Sequence, residues 1–274
     1  MERIKQALER AREQRADPFA PAPTQAPHAR KRDHSSATAP VEIVYTQTRQ
    51  LEVDPEYLRD NRVISSLHDP VAEPYKILRT KVLQRMRANN WRSLAITSPT
   101  EGCGKTLTAI NLAISIAREV NQTVLLVDLD LRRPQVQRYL TRNEQPGIND
   151  YLVRDTPVSE LLFNVKGVDR LVVLPGHDSV THSSEMLSSP KMATLIEEMK
   201  SRYPSRIVLL DMPPLLVCDD VLAFSPHLDA VLLVAADGET DQEDLKRTTA
   251  MLDKVNLLGI ALNKSSAQNS GYYY

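Results

Sequence analysis

The nine residues Ser98-Pro99-Thr100-Glu101-Gly102-Cys103-Gly104-Lys105-Thr106 place two glycines, a lysine and a hydroxyl at the spacing of a phosphate-binding loop. Glycines let backbone N–H groups turn inward around phosphate oxygens, and a following helix adds the favourable dipole of its N-terminus. Lys105 would reach the outer phosphates, and the Thr106 hydroxyl could ligate magnesium. Thr100 through Thr106 are therefore the candidate nucleotide-binding residues. Pro99 stands where the usual motif begins with glycine. A Gly-Lys-Thr tripeptide alone also fits a turn with a surface lysine, so its context has to decide.

Two carboxylate motifs lie downstream. The apolar run 124–127 ends in Asp128-Leu129-Asp130-Leu131-Arg132, and alternation along an extended chain points Asp128 and Asp130 to the same side. At the carboxyl edge of a parallel sheet, such a pair could hold Mg²⁺ and accept a proton from a nucleophile. A third apolar run, 207–210, ends in Asp211-Met212-Pro213-Pro214, a Walker B-like carboxylate suited to binding the ion or polarising its water. Asp219 and Asp220 just beyond are weaker candidates, since acidic loop residues are more often simply solvated.

These residues need a scaffold that gathers strand ends. Short β-branched or leucine-rich runs at 94–97, 124–127, 171–174, 207–210, 231–234 and 259–262 alternate with helical patterns. That alternation predicts an α/β fold, a mainly parallel P-loop sheet with helices on both faces. A helix is expected over 73–87, with Leu78, Val82 and Met86 at helical spacing and Pro74 in its first turn. Two further helices announce their starts through Ser189 with Pro190, and through a capping box of Thr240 and Glu243.

The flanks read differently. Residues 1–16 carry Ile4, Leu8 and Ala11 at helical spacing, a short amphipathic helix. Residues 17–69 begin rich in Pro, Ala and Ser and are expected to be a linker, largely irregular or disordered. The globular domain is placed at 70–264, and 265–274 at a flexible tail ending in Tyr272, Tyr273 and Tyr274.

Composition narrows the function classes. With 274 residues, 42% hydrophobic and 25% charged, the chain has the balance of a soluble globular protein. A net charge of -1 gives no support to a general nucleic-acid-binding surface. Cys103 and Cys218 are too few for a disulfide framework, which fits a reducing cytoplasm. The longest apolar run, 230–236, is far short of the roughly 20 residues that span a bilayer. Any membrane connection is expected through a partner.

Together, the loop 98–106, the strand ending in Asp128-Leu129-Asp130-Leu131-Arg132 and the Asp211-Met212-Pro213-Pro214 motif resemble the Walker A, A′ and B motifs of the bacterial tyrosine kinases (BY-kinases), which have a deviant-Walker P-loop NTPase fold. The likeness spans about 70–274. It includes Glu73-Pro74-Tyr75-Lys76-Ile77-Leu78-Arg79-Thr80, similar to the family's helix for subunit contact, and Ser184-Glu185-Met186-Leu187. The terminal tyrosines match the family's acceptor cluster.

The resemblance implies an ATP-dependent protein-tyrosine autokinase regulating exopolysaccharide or capsule synthesis and export. Lys105 and Thr106 would bind phosphates and Mg²⁺, Asp128 would be the base toward a tyrosine hydroxyl, and Asp130 and Asp211 would serve the metal. Asn263 resembles an adenine-side residue of related ATPases. Glu73, Lys76 and Arg79 would lie at a subunit contact in a homo-oligomeric ring, and Tyr272, Tyr273 and Tyr274 would be the phosphoacceptors, phosphorylated in trans. The partner would be a membrane-anchored polysaccharide chain-length or export protein, recruiting a cytoplasmic chain to the inner face of the membrane. This sequence departs from the family in having Lys76 where Arg is usual, Thr181-His182-Ser183 in place of a proline-rich lead, and a cluster of three tyrosines where many relatives have more.

Two other classes share the motifs. A ParA/MinD-like ATPase switch usually carries a lysine five residues before the loop lysine, where this chain has Thr100. A nucleotide-binding regulator of polysaccharide export that transfers no phosphate is the other. The tyrosine cluster separates the kinase from both, because a flexible tether is what an acceptor needs to enter an active site.

Overall fold

The structure, a computed structural model, describes residues 48–66 and 68–265. The expected N-terminal helix, most of the expected linker and the tyrosine tail lie outside the described residues.

Eight strands form one sheet: β1 (Arg49–Leu51), β2 (Ser93–Thr97), β3 (Thr123–Asp128), β4 (Phe163–Val165), β5 (Leu171–Leu174), β6 (Arg206–Asp211), β7 (Ala230–Ala236) and β8 (Leu257–Asn263). Their order is β1-β4-β5-β3-β6-β2-β7-β8, and only the β4/β5 pairing is antiparallel. The helices are α1 (Pro55–Asp60), α2 (Ala72–Ala88), α3 (Lys105–Ala117), α4 (Val136–Leu140), α5 (Ile148–Arg154), α6 (Val158–Leu161), α7 (Ser183–Leu187), α8 (Pro190–Ser201), α9 (Asp220–Phe224) and α10 (Gln242–Met251). None of the helices in the described residues is long and apolar enough to cross a membrane.

The inner strands β2, β3, β5, β6 and β7 are buried along their whole length and apolar except at their ends, so the mainly parallel sheet is covered on both faces. Val124 and Leu126 of β3 join Leu94 and Ile96 of β2 and Leu232 and Val234 of β7 in one core with α2 and α3. Leu125, Val127, Ala95, Val208, Leu210, Val231 and Leu233 face the other way, onto Met192, Leu195 and Ile196 of α8. Period-two alternation thus divides a continuous apolar run between two cores. Helix α3 is sandwiched accordingly, with every residue buried except Lys105 and Leu107.

Three expectations need correction. The segment 17–69 is not irregular throughout: β1 and α1 belong to the domain, which therefore reaches back to Arg49 among the described residues. Strand β1 pairs in parallel with β4 more than a hundred residues away, and the Tyr57 hydroxyl of α1 donates to the Arg138 carbonyl at 2.5 Å. Asn111 of α3 clamps the chain that follows, accepting from the Ile64 amide at 2.9 Å and donating to the Arg62 carbonyl at 3.0 Å. A three-residue strand and a six-residue helix are too short for hydrophobic periodicity to register. Strand β4 escapes for the same reason.

The expected capping box at Thr240 and Glu243 is also absent. Asp241 is the N-cap of α10, and Thr240 Oγ1 instead accepts the Ala236 amide at 2.8 Å. Ser189, by contrast, caps α8 as expected, accepting the Met192 amide at 3.2 Å with Pro190 at the first turn. The third correction concerns the charged face of α2. Glu73 and Lys76 pair with each other in solvent, but Arg79 turns inward to Glu119 at 3.1 Å and to the Ser115 carbonyl at 3.2 Å. Arg79 thereby ties α2 to the end of α3.

Candidate nucleotide-binding and phosphoryl-transfer site

The loop between β2 and α3 takes its shape from its glycines. Gly102 and Gly104 have φ of +79° and +87°, the left-handed region that only glycine enters without strain. Gly104 is also crowded: a Cβ there would collide with Nδ2 of Asn263, which donates to the Cys103 carbonyl at 2.9 Å. Asn263, the last residue of β8, therefore clips the phosphate loop to the far edge of the sheet. Pro99 fits its unusual position because only its carbonyl is needed, accepting the Leu216 amide at 3.0 Å beside Ser98, which accepts that of Leu215 at 2.9 Å. Arg133 caps the loop from outside through an ion pair with Glu101.

The sheet order delivers the carboxylates. Strand β6 lies between β3 and β2, so Asp211 sits between Asp128 and the phosphate loop, and Asp128 and Asp211 are register partners. Lys105 Nζ rests 2.8 Å from Asp130 Oδ2 and 3.5 Å from Asp211 Oδ1. Burial works to lower its pKa, but Asp211 and Asp130 outweigh it and raise it, so Lys105 remains an ammonium. The Thr106 hydroxyl donates to Asp211 Oδ2 at 2.6 Å.

Asp128 is wholly buried. Its Oδ2 accepts the amides of Gln135 and Val136, both at 2.9 Å, and its Oδ1 the amide of Asp130 at 3.2 Å. Burial, then repulsion from Asp211, pushes its pKa up to about 8. Burial likewise raises Asp211, against the pull of Lys105. Loss of hydration disfavours a charged carboxylate, and three acids around one lysine cannot all be fully compensated.

A magnesium ion usually keeps several waters and takes one or two protein oxygens beside substrate phosphates. Thr106 Oγ1 and Asp211 fit that demand, being adjacent oxygens at the loop's helical end. Among the described residues no cluster of three or more His, Cys, Asp or Glu could hold a metal ion.

Sequence patterns did not reveal several supporting residues. A Cβ on Gly176, after β5, would strike Pro134 and come within 3.3 Å of Asp128 Cγ, so this glycine gives the 129–135 loop its room. Thr240 Oγ1 lies 3.6 Å from Cys103 Sγ, bracing the phosphate loop from the β7 side. Arg132 Nε binds Ser183 Oγ at 2.8 Å and approaches the buried Asp220 at 3.4 Å, giving that aspartate a structural place in the same loop system. Asp219 is exposed. Only Gly176 had a readable trace, as a lone glycine beside a proline at a strand end.

Comparison with known proteins agrees with this geometry. The family model of AAA domains matches residues 91–256. EpsB of Ralstonia nicotianae is 28% identical over 80% of this chain, although the chain spans only 28% of that relative's length. Tyrosine-protein kinase YwqD of Bacillus subtilis is 30% identical over 74% of this chain and 85% of its own. The kinase domain of the Escherichia coli tyrosine kinase ETK superposes with a TM-score of 0.65 at 28% identity, covering 76% of this chain and 82% of that domain. The P-loop, the paired strand-end aspartates and a likeness that runs through both halves of the sheet place this chain in the bacterial tyrosine kinase family.

Proposed function

We propose that the chain is an ATP-dependent protein-tyrosine autokinase that phosphorylates Tyr272, Tyr273 and Tyr274 of a second copy of itself, regulating polysaccharide synthesis and export. The observation that carries this reading is the meeting of Lys105, Thr106, Asp128, Asp130 and Asp211 at one sheet edge, in a chain whose sequence ends in three tyrosines.

Phosphoryl transfer asks the protein for positioning and charge. The loop amides of 102–106 would cradle the phosphates. Lys105, held now by Asp130 and Asp211, would turn its charge to the γ-phosphoryl group. Thr106 and Asp211 would hold Mg²⁺, with Asp130 beside them, and the ion supplies positive charge over the β- and γ-phosphates when bound. The tyrosine oxygen bonds to the γ-phosphorus, the bond to the β,γ-bridging oxygen breaks and ADP leaves. The phenolic proton goes to Asp128, whose Oδ1 carries only one long hydrogen bond. With its pKa pushed up to about 8 the carboxyl is mostly protonated near neutrality, so the positive charge that Mg²⁺ brings with ATP would be needed to ionise it as the base. Reaching it requires the 129–135 loop to shift, because the carboxylate is covered.

On this reading transfer runs between copies in a ring, each presenting its tyrosines to a neighbour's phosphate loop. Glu73 is exposed and Lys76 half-buried at the face that would make such a contact. Recruitment would come from a membrane-anchored export protein at the inner face of the membrane. Asn263 would act by holding the phosphate loop, on the adenine side of the site.

The test is mass spectrometry of purified full chain incubated with and without MgATP. Phosphate on the last three residues is expected, and none in a Lys105→Met variant. Mixing Lys105→Met protein with a variant carrying Tyr272→Phe, Tyr273→Phe and Tyr274→Phe should label the inactive copy. An unlabelled tail in that mixture would exclude transfer in trans.

A further inference from the structure

On the far side of the 129–135 loop lies a second concavity, a pocket of about 360 Å³ lined by Arg132, Arg133, Arg138, Arg142 and His177 among others. Four arginines face two rim acids, Glu144 and Asp178, in a chain whose net charge is -1. Two of the four are committed: Arg132 to Ser183 and Asp220, and Arg133 to Glu101. The Arg142 guanidinium lies over the Tyr57 ring, 4.6 Å from its centroid, which orients it without neutralising it. Among the described residues the Arg138 guanidinium meets no acid. Two guanidiniums with no ion pair among the described residues, on one concave wall, make a site for an anion with several acceptor oxygens.

The pocket shares a wall with the transfer site. The Arg133 amide donates to Asp130 at 3.1 Å, and the Gln135 amide to Asp128 at 2.9 Å. Gln137 fixes the pocket floor by donating to the Gly176 carbonyl at 3.0 Å. One loop thus separates a carboxylate-lined site from an arginine-lined one at the carboxyl edge of β3 and β5. Neighbouring residues of an extended peptide advance about 3.3 Å each, so a three-tyrosine cluster reaches roughly 10 Å along such a boundary.

We propose that this pocket is a phosphotyrosine subsite, taking one phosphorylated tyrosine of another copy's Tyr272–Tyr274 cluster and thereby presenting the next tyrosine to the phosphate loop. The proposal rests on the autokinase reading above. Residues 265–274 contain no Asp or Glu, so phosphorylation is what gives their side chains negative charge complementary to the pocket. A phosphotyrosine carries about -1.5 to -2 charges and three strong acceptor oxygens. Asp128, Asp130 and Asp211 repel that group as soon as it forms, while Arg138 and Arg142 attract it. Each transfer, with ADP and one proton released, therefore moves the product residue out of the site and holds the tail for the next round.

Binding of synthetic 265–274 peptides, unphosphorylated or phosphorylated at Tyr273, is measured by fluorescence anisotropy on full-length Lys105→Met protein, where no turnover intervenes. The phosphopeptide should bind at least about tenfold more tightly. Phenyl phosphate should displace it at lower concentration than inorganic phosphate does. Arg138→Glu with Arg142→Glu should abolish the preference, and the milder Arg138→Gln with Arg142→Gln should reduce it while melting as the parent does. Equal affinity of the two peptides, a preference that survives charge reversal, or equal competition by inorganic phosphate would each overturn the proposal. Failure of the autokinase reading shows separately, as an unlabelled tail in active protein given MgATP, whatever the peptides do.

Discussion

Lys105 is the residue on which both charge balance and chemistry depend. It compensates two buried carboxylates, and the same charge would be turned to phosphate during transfer. Lys105→Met is therefore expected to reduce tail phosphorylation by at least about a hundredfold, measured by quantitative mass spectrometry. Gly176 gives a more selective probe. An added Cβ would press on Pro134 and Asp128 while leaving the phosphate loop untouched. Gly176→Ala should cost about 1–3 kcal/mol of stability by overpacking. Because a displacement near 1 Å can cost up to about a hundredfold in rate, transfer should fall much more than ATP affinity. Isothermal titration with ATP beside initial-rate assays reads the split, and an equal fall in both would show that the 129–135 loop serves binding instead.

At the scale of elements, the strands that carry the site are fastened at their opposite ends. Asp229, just before β7, accepts the Arg92 and Ser93 amides at 2.7 and 2.8 Å and the Lys200 ammonium at 2.8 Å, joining β2, β7 and α8. Burial alone would raise its pKa, but Lys200 and the two amides outweigh that and hold it below the ordinary carboxylate value. A depressed folded-state pKa contributes stability above the unfolded value near 4 and loses it as pH falls through the folded value. Asp229→Asn should accordingly destabilise by about 1–3 kcal/mol at neutral pH. In thermal melts, the gap from the parent should close below pH 4. A constant gap across that range would mean that shape, not charge, is what Asp229 supplies. Helix α2 requires a similar distinction: Arg79 binds Glu119 within the chain, so an assembly test has to spare it.

For the whole molecule, the decisive property is whether copies assemble. Light scattering should report a larger mean mass for unphosphorylated protein than for phosphorylated protein, and Glu73→Ala with Lys76→Ala should lower it toward the monomer without shifting the melting temperature. Identical masses for all three forms over a wide concentration range would remove the ring, and with it the simplest route to transfer in trans.

The P-loop, both aspartate motifs and the six long apolar strands were legible in the sequence because each is set by local rules. Glycine spacing sets the loop, and apolar runs of four to seven residues set strands with carboxylates at their ends. Even the division of the sheet into two cores follows from alternation within single strands. The rest depends on residues far apart in the chain. Strand β1 exists only because β4 lies beside it, and Asn263 reaches Gly104 only because β8 is the sheet edge beyond β7. Likewise, Asp128 is covered because the amides of Gln135 and Val136 close over it, and burial with the nearby Asp211 raises its pKa. The arginine pocket has no motif at all, since it forms where the loop after β3 meets the loop after β5. Local periodicity specifies which elements form and which residues stand at their ends. Packing decides how those ends are desolvated and paired, and charge in a protein site depends on that surrounding.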